Sequence, residues 1–450
     1  MSKGPGLELP FLEPLEKWLE GTNEGAGFII PGWGMMIVFV LSVLVFHLID
    51  PQQSFRNFEL LFFFSPLWIP LVLVRWSLQQ FVFWRRVSWT SKQGSVLLEL
   101  KIPRNILKSP LAMEAVLAAI HLQAGEGTWL KRFVFGRTRN WTSLELASFG
   151  GEVHMYIWTR TSYRRLVESS LYSQYPEIEI IEAIDYSRLR DPSNGNFGVF
   201  ICEYAFGKPH PYPIKTYVDY GLERPQLRHE RQVDPFASLL ELLGSIGPDE
   251  QLWVQFIVRH TKRERYYRKK KTGGDFYVYP DEVKEEIEKL KKGITTTSAG
   301  VPLPTPGQSE VIGAIERNSA KLQFDVGIRS VYSAPPEKYY GMMNAYIVSM
   351  FRPFNSVGYN ELRPASLFSE KFNDYPWEDI GGFRQRQEMR EGVEFFRRRS
   401  YFHPPYRGPW LTMSSEELAT LFHIPNSMVK APSLPRIETA TGTPPANLPT

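Results

Sequence analysis

A run of basic residues interleaved with tyrosines is the segment of this 450-residue chain whose residue types best suit a binding role. Its nine residues are Lys262, Arg263, Arg265, Tyr266, Tyr267, Arg268, Lys269, Lys270 and Lys271. The seven cations can neutralise phosphates along a nucleic-acid backbone, and the tyrosine rings can stack on bases. The same cations suit anionic lipid headgroups, at about 1 kcal/mol each. A solvated loop is the third interpretation, and the sequence leaves all three open.

The spacing patterns of catalytic, cofactor and metal sites do not occur in the sequence. The one Gly-Lys pair, Gly207-Lys208, is followed by Pro209, where a phosphate-binding loop needs serine or threonine. The eight histidines lack the helical spacing of metal ligands, and Cys202 alone cannot form a thiolate pair. A single cysteine in an apolar stretch fits a buried thiol in a reducing compartment. We therefore predict no catalytic residue, no cofactor and no metal.

Two stretches repeat one order of predicted elements. In the first, strand, helix, strand, strand, helix and strand are predicted at 96–102, 111–122, 141–149, 153–158, 161–172 and 178–184. This is the βαββαβ order of ferredoxin-like folds. The second stretch repeats it with strands at 197–206, 251–258 and 322–332 and helices at 235–243 and 335–350. Both first helices begin with an N-cap residue and a proline, Ser109-Pro110 and Asp234-Pro235.

The predicted fold class is α+β, with tandem ferredoxin-like units at 93–190 and 197–375. A basic and charged insertion at 259–321 interrupts the second unit. A C-terminal helical segment at 377–430 and a proline-rich tail at 431–450 follow. Within the helical segment, Ser414 and Glu417 have the spacing of a capping box, which predicts a short helix starting after Ser414.

Two long apolar runs precede these units, at Phe28–Ile49 and Leu60–Val74. Because a bilayer core needs about 20 apolar residues in a helix, we predict a two-helix transmembrane hairpin at 28–86. An N-terminal amphipathic segment at 1–27 comes before it. Basic residues follow the second run, which places the bulk of the chain in the cytoplasm by the positive-inside rule. The alternative is a buried apolar hairpin of a soluble protein.

Three stretches of the chain resemble the N-terminal, pre-ATPase region of conjugative DNA-transfer ATPases of type IV secretion type. They are VDPFASLL with its continuation EQLWVQ (233–240, 250–255), SSEELATLFHIP (414–425) and PSLPRI (432–437). These ATPases are of the HerA/FtsK-like class, and the versions most similar to this chain come from ultra-small (candidate phyla) bacteria. In that family the second stretch precedes a motor domain, which is absent from these 450 residues. No catalytic residue of the family can therefore be carried over.

The resemblance implies a non-catalytic adaptor of a bacterial inner-membrane DNA-transfer machine, which docks a separate ATPase and repeats around a homo-oligomeric ring. The expected docking residues are Glu416, Glu417, Leu418, Leu421, Phe422 and His423. The net charge of +4 is too small to require a polyanionic partner for the whole chain, so DNA would meet a local surface. The alternative is a membrane-tethered nucleic-acid-binding protein without a motor partner. A hydrolase of unknown type is a third possibility.

Overall fold

The computed structural model describes residues 32–122, 128–189, 197–223, 233–261, 279–292, 305–367, 382–403, 406, 408–426 and 433–437. Its α-helices are Gly32–Ile49 (α1), Pro51–Phe63 (α2), Ser65–Ser91 (α3), Pro110–Ile120 (α4), Trp129–Phe133 (α5), Arg164–Gln174 (α6), Tyr186–Leu189 (α7), Pro235–Gly244 (α8), Tyr279–Lys292 (α9), Pro306–Ser319 (α10), Met342–Ser349 (α11), Phe383–Arg397 (α12) and Ser415–Leu421 (α13). Its strands are Ser95–Pro103 (β1), Thr142–Phe149 (β2), Glu152–Arg160 (β3), Glu179–Ala183 (β4), Gly198–Phe206 (β5), Gln251–His260 (β6), Gln323–Ala334 (β7), Leu362–Leu367 (β8), Leu411–Ser414 (β9) and Arg436–Ile437 (β10).

The chain divides into two compact units. The N-terminal unit contains the chain up to Trp89 together with 129–136, and its elements among the described residues are helices. In this unit Arg85 of α3 donates a hydrogen bond from Nε to the Val134 carbonyl oxygen at 2.6 Å, which fixes α3 against the segment after α5. The second unit contains 90–128 and the chain from Arg137, and it holds the sheet.

The predicted transmembrane hairpin is wrong. The residues between the two apolar runs are not a loop, because Asp50 caps α2 by accepting a hydrogen bond from the Gln53 N–H at 3.0 Å. The second apolar run is divided between α2 and α3, and α3 contains Pro70 and Arg75. Within the residues that the structure describes, no helix combines the length and the apolar character needed to cross a membrane. The predicted amphipathic segment at 1–27 lies outside the described residues.

Eight strands of the second unit form two four-strand groups that join edge to edge. The strand order is β4-β1-β3-β2 in the first group and β6-β7-β5-β8 in the second. Strands β2 and β6 pair along their whole length, from Thr142 opposite Val258 to Phe149 opposite Gln251. Strand β9 adds to β7, and β10 adds to β1 as a short parallel strand. The result is one ten-stranded, mostly antiparallel sheet.

The predicted fold class is therefore corrected in a second respect, since the two groups are halves of one sheet. The α+β class and the βαββαβ element order of each half are present in the structure. Strands β2 and β6 are buried along almost their whole length, so each must be covered on both faces and along its edge. Their mutual pairing covers those edges, and a sequence pattern does not report such a pairing.

The sheet carries a core on each face. On one face α4, α6, α8, α11 and α13 pack over apolar strand residues such as Leu98, Leu144 and Phe256. The other face is covered by α12 and by the chain that follows it to Tyr406. We call residues 383–406 the covering segment. It packs on Trp253 and neighbouring side chains of the sheet.

Candidate functional site

The predicted binding residues fall in two places. The basic run of Lys262 to Lys271 lies outside the described residues, directly after Thr261 at the end of β6. The six predicted docking residues lie on and just after α13, and every one of them is buried. Helix α13 packs against α4 in the core. These six side chains therefore have no surface in the described structure through which a separate ATPase could touch them.

The capping box predicted at the start of α13 is confirmed. Ser414 accepts from the Glu417 N–H at 3.2 Å, and Glu417 accepts from the Ser414 N–H at 2.8 Å. The Glu417 carboxylate also accepts from the Ile214 N–H at 3.0 Å, which ties a distant loop to the helix. Burial raises the pKa of Glu417 to about 7, although these backbone donors lower it. Glu417 therefore stabilises the start of α13 and the loop at Ile214 from within the core.

Glu416 shares one cation, Lys321, with a second buried carboxylate, Glu114 of α4. Lys321 Nζ lies 2.7 Å from Glu114 Oε1 and 3.7 Å from Glu416 Oε2. Arg317 donates to Glu416 at 3.1 Å and to Asp219 at 2.7 Å. The cluster holds α4, α10 and α13 together by charge-assisted hydrogen bonds.

His423 links the two stretches that carry the family resemblance. One ring nitrogen lies 2.9 Å from the Ala419 carbonyl oxygen, and the other lies 3.0 Å from Asp234 Oδ2. Asp234 is also the N-cap of α8, because it accepts from the Phe236 N–H at 2.9 Å. His423 therefore connects α13 to the start of α8, and its role is structural.

A row of polar residues crosses the sheet on the face under the covering segment. Its members lie opposite one another on successive strands in the order Glu99, Tyr156, Glu145, Gln255, Arg329 and Glu203. Directly opposed residues in antiparallel strands point to the same face. Five of the six are buried, and Glu99 is half-buried. Such a row must find its partners inside the protein or on the segment that covers it.

Arg399 supplies hydrogen-bond donors to Glu145, in the middle of this row. Its Nε and Nη2 lie 3.0 and 3.1 Å from the two carboxylate oxygens of Glu145, and Nη2 also lies 3.1 Å from Asp185 Oδ1. Tyr186 donates to Glu145 at 2.8 Å, and Gln255 donates to it at 2.9 Å. Although burial alone lowers the pKa of Arg399, the two carboxylates raise it above its ordinary value. The Arg399–Glu145 ion pair therefore holds the covering segment on the sheet.

The second half of the row is held in the same manner. Arg329 Nη2 lies 3.3 Å from Glu203 Oε1, and Tyr406 donates its hydroxyl to the other side of that carboxylate. The Arg329 guanidinium lies 4.9 Å from the Tyr401 ring centre, and it donates to the Ser400 carbonyl oxygen at 2.9 Å. The Tyr401 ring occupies the space over Gly327, where a side chain would overlap it.

Cations gather at the end of the sheet that leads toward the basic run. Arg139 and Arg259 both donate to Asp325 Oδ2, at 3.1 and 2.9 Å. Burial, followed by the charge of Arg139, lowers the pKa of His260 to about 4, so this imidazole is neutral at physiological pH. Arg160 is buried on the neighbouring strand β3, with its guanidinium over the rings of Trp141 and Trp158.

An open recess of about 20 Å³ lies at this end of the sheet. Its lining is Ile120, Leu122, Asn140, Thr142, Tyr163, Val258, Arg259, His260 and Phe324. The volume suits about one water molecule, so the recess itself can admit only a small group. In the described part of the chain, no set of three histidine, cysteine or acidic side chains is arranged to hold a metal ion.

The sequence did not predict the polar residues that hold the covering segment on the sheet. The signal that could have found them is a charged or amide residue at an inward strand position, as at Glu145, Gln255, Arg329 and Glu203. Such residues are rarely buried without partners, so they predict a buried network. The sequence does not indicate which distant residue completes that network.

No curated protein matches the chain. A family model described as a domain of unknown function, DUF8128, matches residues 91–435, which is about three quarters of the sequence. The match covers the whole described sheet except β10, and it includes the covering segment, α13 and the recess. The chain therefore belongs to the DUF8128 family.

Proposed function

We propose that this protein is a non-catalytic platform of a DNA-transfer machine of the type IV secretion or conjugation kind, which docks on a lipid surface and works with a separate HerA/FtsK-like ATPase. The observation that carries the proposal is the apolar surface of the N-terminal unit. The sequence resemblance supplies the DNA-transfer machine and the ATPase. It also makes the bacterial inner membrane the expected lipid surface, and a homo-oligomeric ring the expected assembly.

The apolar surface covers all three long helices of the N-terminal unit. Its most exposed large side chains include Leu48, Ile49, Phe55, Phe62, Phe63, Trp76, Leu78 and Trp84, each more than half exposed. Scattered exposed apolar residues are ordinary, but a dense set on consecutive helices marks a binding surface. Burial of one such side chain is worth about 1.5–3 kcal/mol, so the set can supply strong binding.

The residue types favour lipid as the occupant of this surface. Trp76 and Trp84 have an apolar ring with one polar N–H, which suits the headgroup region. Arg75 lies beside Trp76 in α3, where arginine can extend its guanidinium to headgroup phosphates. Docking of this kind requires helices that lie against the lipid with their apolar side chains in it.

Vesicle flotation of the full chain tests the lipid docking. The variant carries three substitutions, Ile49→Gln, Phe62→Gln and Phe63→Gln, at positions that are 77%, 80% and 75% exposed. The matched control carries Leu107→Gln, Ile184→Gln and Val357→Gln, which are 64%, 79% and 97% exposed on the other unit. We expect the wild type and the control to float with the vesicles and the variant to lose at least tenfold in bound fraction. Equal flotation of variant and control would remove the N-terminal helices from the proposal.

The ATPase must bind a surface other than the six predicted residues, because these are buried. Deletion of Ser414 to Thr450 would also remove part of β9, all of α13 and β10 from the fold. Loss of ATPase binding after that deletion would therefore not identify a docking face. The interaction is better tested by crosslinking of the intact chain.

The alternative function is a lipid-docked nucleic-acid-binding protein without a motor partner. Arg259 at the end of the sheet favours it, since it lies three positions before the basic run in the chain. The two functions differ in the partner that crosslinking recovers, which is an ATPase in the first case and nucleic acid alone in the second.

A further inference from the structure

A short segment between α4 and β2, residues 129–136, belongs to the N-terminal unit although it lies far from the other helices of that unit in the sequence. The chain leaves the second unit after Thr128, forms α5 and returns to the second unit at Arg137. We call residues 129–136 the inserted segment. It lies outside both apolar runs of the sequence, and it is separate from the three long helices that carry the surface proposed to meet lipid.

The inserted segment is fixed on α3 through its backbone. The Val134 carbonyl oxygen accepts the hydrogen bond from Arg85 Nε at 2.6 Å. Gly136 has a φ of +64°, and a Cβ at this position would lie 2.4 Å from the carbonyl carbon of Arg85. Only a glycine allows the two backbones to approach so closely. The segment therefore lies directly on the part of α3 that contains Arg85.

Two large apolar side chains of the inserted segment face solvent. Leu130 is 55% exposed and Phe135 is 52% exposed. The N–H groups of Val134 and Phe135 both donate to the Leu130 carbonyl oxygen, at 3.0 and 3.1 Å. This turn brings the backbones of Leu130 and Phe135 together, so the two side chains are presented by one compact turn. Lys131, which lies between them in the sequence, is exposed as well.

The part of α3 under the inserted segment is itself apolar and exposed. Phe81, Trp84 and Val87 are 47%, 62% and 41% exposed. Trp84 is the neighbour of Arg85 in the chain, and Phe135 is the neighbour of Gly136, which touches Arg85. The exposed side chains of the inserted segment thus begin within one residue of the apolar surface of α3, and they extend it.

We infer that the inserted segment is a further lipid-contacting element, in which Leu130 and Phe135 enter the apolar part of the lipid surface and Lys131 lies among the headgroups. The inference rests on the lipid docking proposed above and adds an element that the three long helices do not contain. Large apolar side chains beside a cation are typical of segments that lie in the interface of a membrane. The lysine is attracted to anionic headgroups, which makes a lipid surface with negative charge the preferred one.

The first test places the environment-sensitive fluorophore NBD on the full chain through Phe135→Cys. The matched control is Phe383→Cys, at a phenylalanine of the second unit that is 67% exposed. The one native cysteine, Cys202, is buried, so the label reacts at the introduced thiol. The vesicles contain equal parts of phosphatidylethanolamine and phosphatidylglycerol. Emission spectra report the surroundings of the label, and flotation of the same samples reports the bound fraction.

We expect both labelled proteins to float with the vesicles, and a shift of the emission to shorter wavelength only for the label at position 135. Flotation without this shift, or with equal shifts at both positions, would overturn the inference and leave docking by the three long helices in place. If neither protein floats, lipid docking itself is wrong and the inference falls with it. Leu130→Cys is the second label site if Phe135→Cys does not fold, judged by circular dichroism.

The second test removes the two apolar side chains together. The variant carries Leu130→Gln and Phe135→Gln, and the control carries Leu107→Gln and Phe383→Gln, which are the same residue types at 64% and 67% exposure on the second unit. We expect the bound fraction in flotation to fall about fivefold in the variant and less than twofold in the control, because the variant loses buried apolar surface. Equal bound fractions for variant and control would overturn the inference.

Discussion

Arg399 and Glu145 form a two-point ion pair in the interior of the protein, although 254 residues separate them in the chain. Their side chains are 1% and 0% exposed. Glu145 lies in the middle of β2, and Arg399 lies two residues after α12 in a left-handed backbone conformation with φ of +49°. The pair joins the centre of the sheet to the segment that covers it.

Breaking this pair should cost much more stability than breaking a surface pair. In Arg399→Met, two carboxylates lose their buried cation, and we expect a loss of about 3–5 kcal/mol in the free energy of unfolding. Arg398→Met removes the neighbouring exposed arginine, which pairs with Glu394, and it should change stability by about 0.5 kcal/mol or less. Urea unfolding measures both. Adding Glu145→Gln to Arg399→Met should restore part of the loss, and a double variant less stable than the single one would contradict the account.

A side chain at Gly327 should displace Tyr401. A Cβ at this position would overlap the Tyr401 ring, so Gly327→Ala should destabilise the protein by about 1–3 kcal/mol. Gly313→Ala is the control, because Gly313 lies inside α10 with open space around it and alanine favours helix there. Thermal unfolding should show a lower Tm for the first variant and an equal or higher Tm for the second. Equal shifts of the same sign would argue against tight packing of the covering segment.

The raised pKa of Glu417 predicts a pH dependence of stability. Its pKa is about 7 in the folded protein and 4.5 as the ordinary value, so the folded state binds the proton more tightly. The stability from this group is therefore fully present below pH 4.5 and is lost as the pH rises through 7. Glu417→Gln cannot ionise, so the stability of the wild type relative to this variant should fall between pH 4.5 and pH 8.

The control for this titration is Glu316→Gln, at an exposed position of α10. Glutamine at 417 presents an amide group to one of the two backbone N–H donors, which lowers stability at every pH by a constant amount. The prediction is therefore tested by how the stability difference between wild type and Glu417→Gln changes with pH, and not by its size at one pH. A difference between wild type and Glu417→Gln that is as flat as that for Glu316→Gln would refute the prediction.

Local signals in the sequence were sufficient for the element order and for the helix starts at Pro110, Pro235 and Ser415, whereas the helix predicted from 335 begins at Met342. The caps at Ser414 and Asp234 are confirmed because a capping contact spans only two or three residues. The same chemistry is present at Asp50-Pro51, but the apolar runs on either side led to the prediction of a loop. Long-range pairing was not predictable in this way. Neither the junction of β2 with β6 nor the partner of Glu145 leaves a mark in the local pattern.

The burial of the six predicted docking residues was not predictable for a related reason. Glu416, Glu417 and His423 are polar residues on a short helix, which suggests an exposed face. Their partners are Lys321, Arg317 and Ile214 for the acids, and Asp234 for the histidine, all distant in sequence. Polar residues that satisfy one another are buried as a group, and composition alone does not separate this case from a surface.

The measurement that tests the proposed function most directly is crosslinking of the intact chain in cells, followed by mass spectrometry of the joined peptides. The account predicts crosslinks from the sheet unit to an ATPase that contains a phosphate-binding loop, together with recovery of the N-terminal helices in the lipid fraction. Crosslinks only to nucleic acid or to further copies of this chain would contradict the platform proposal and favour the nucleic-acid-binding alternative.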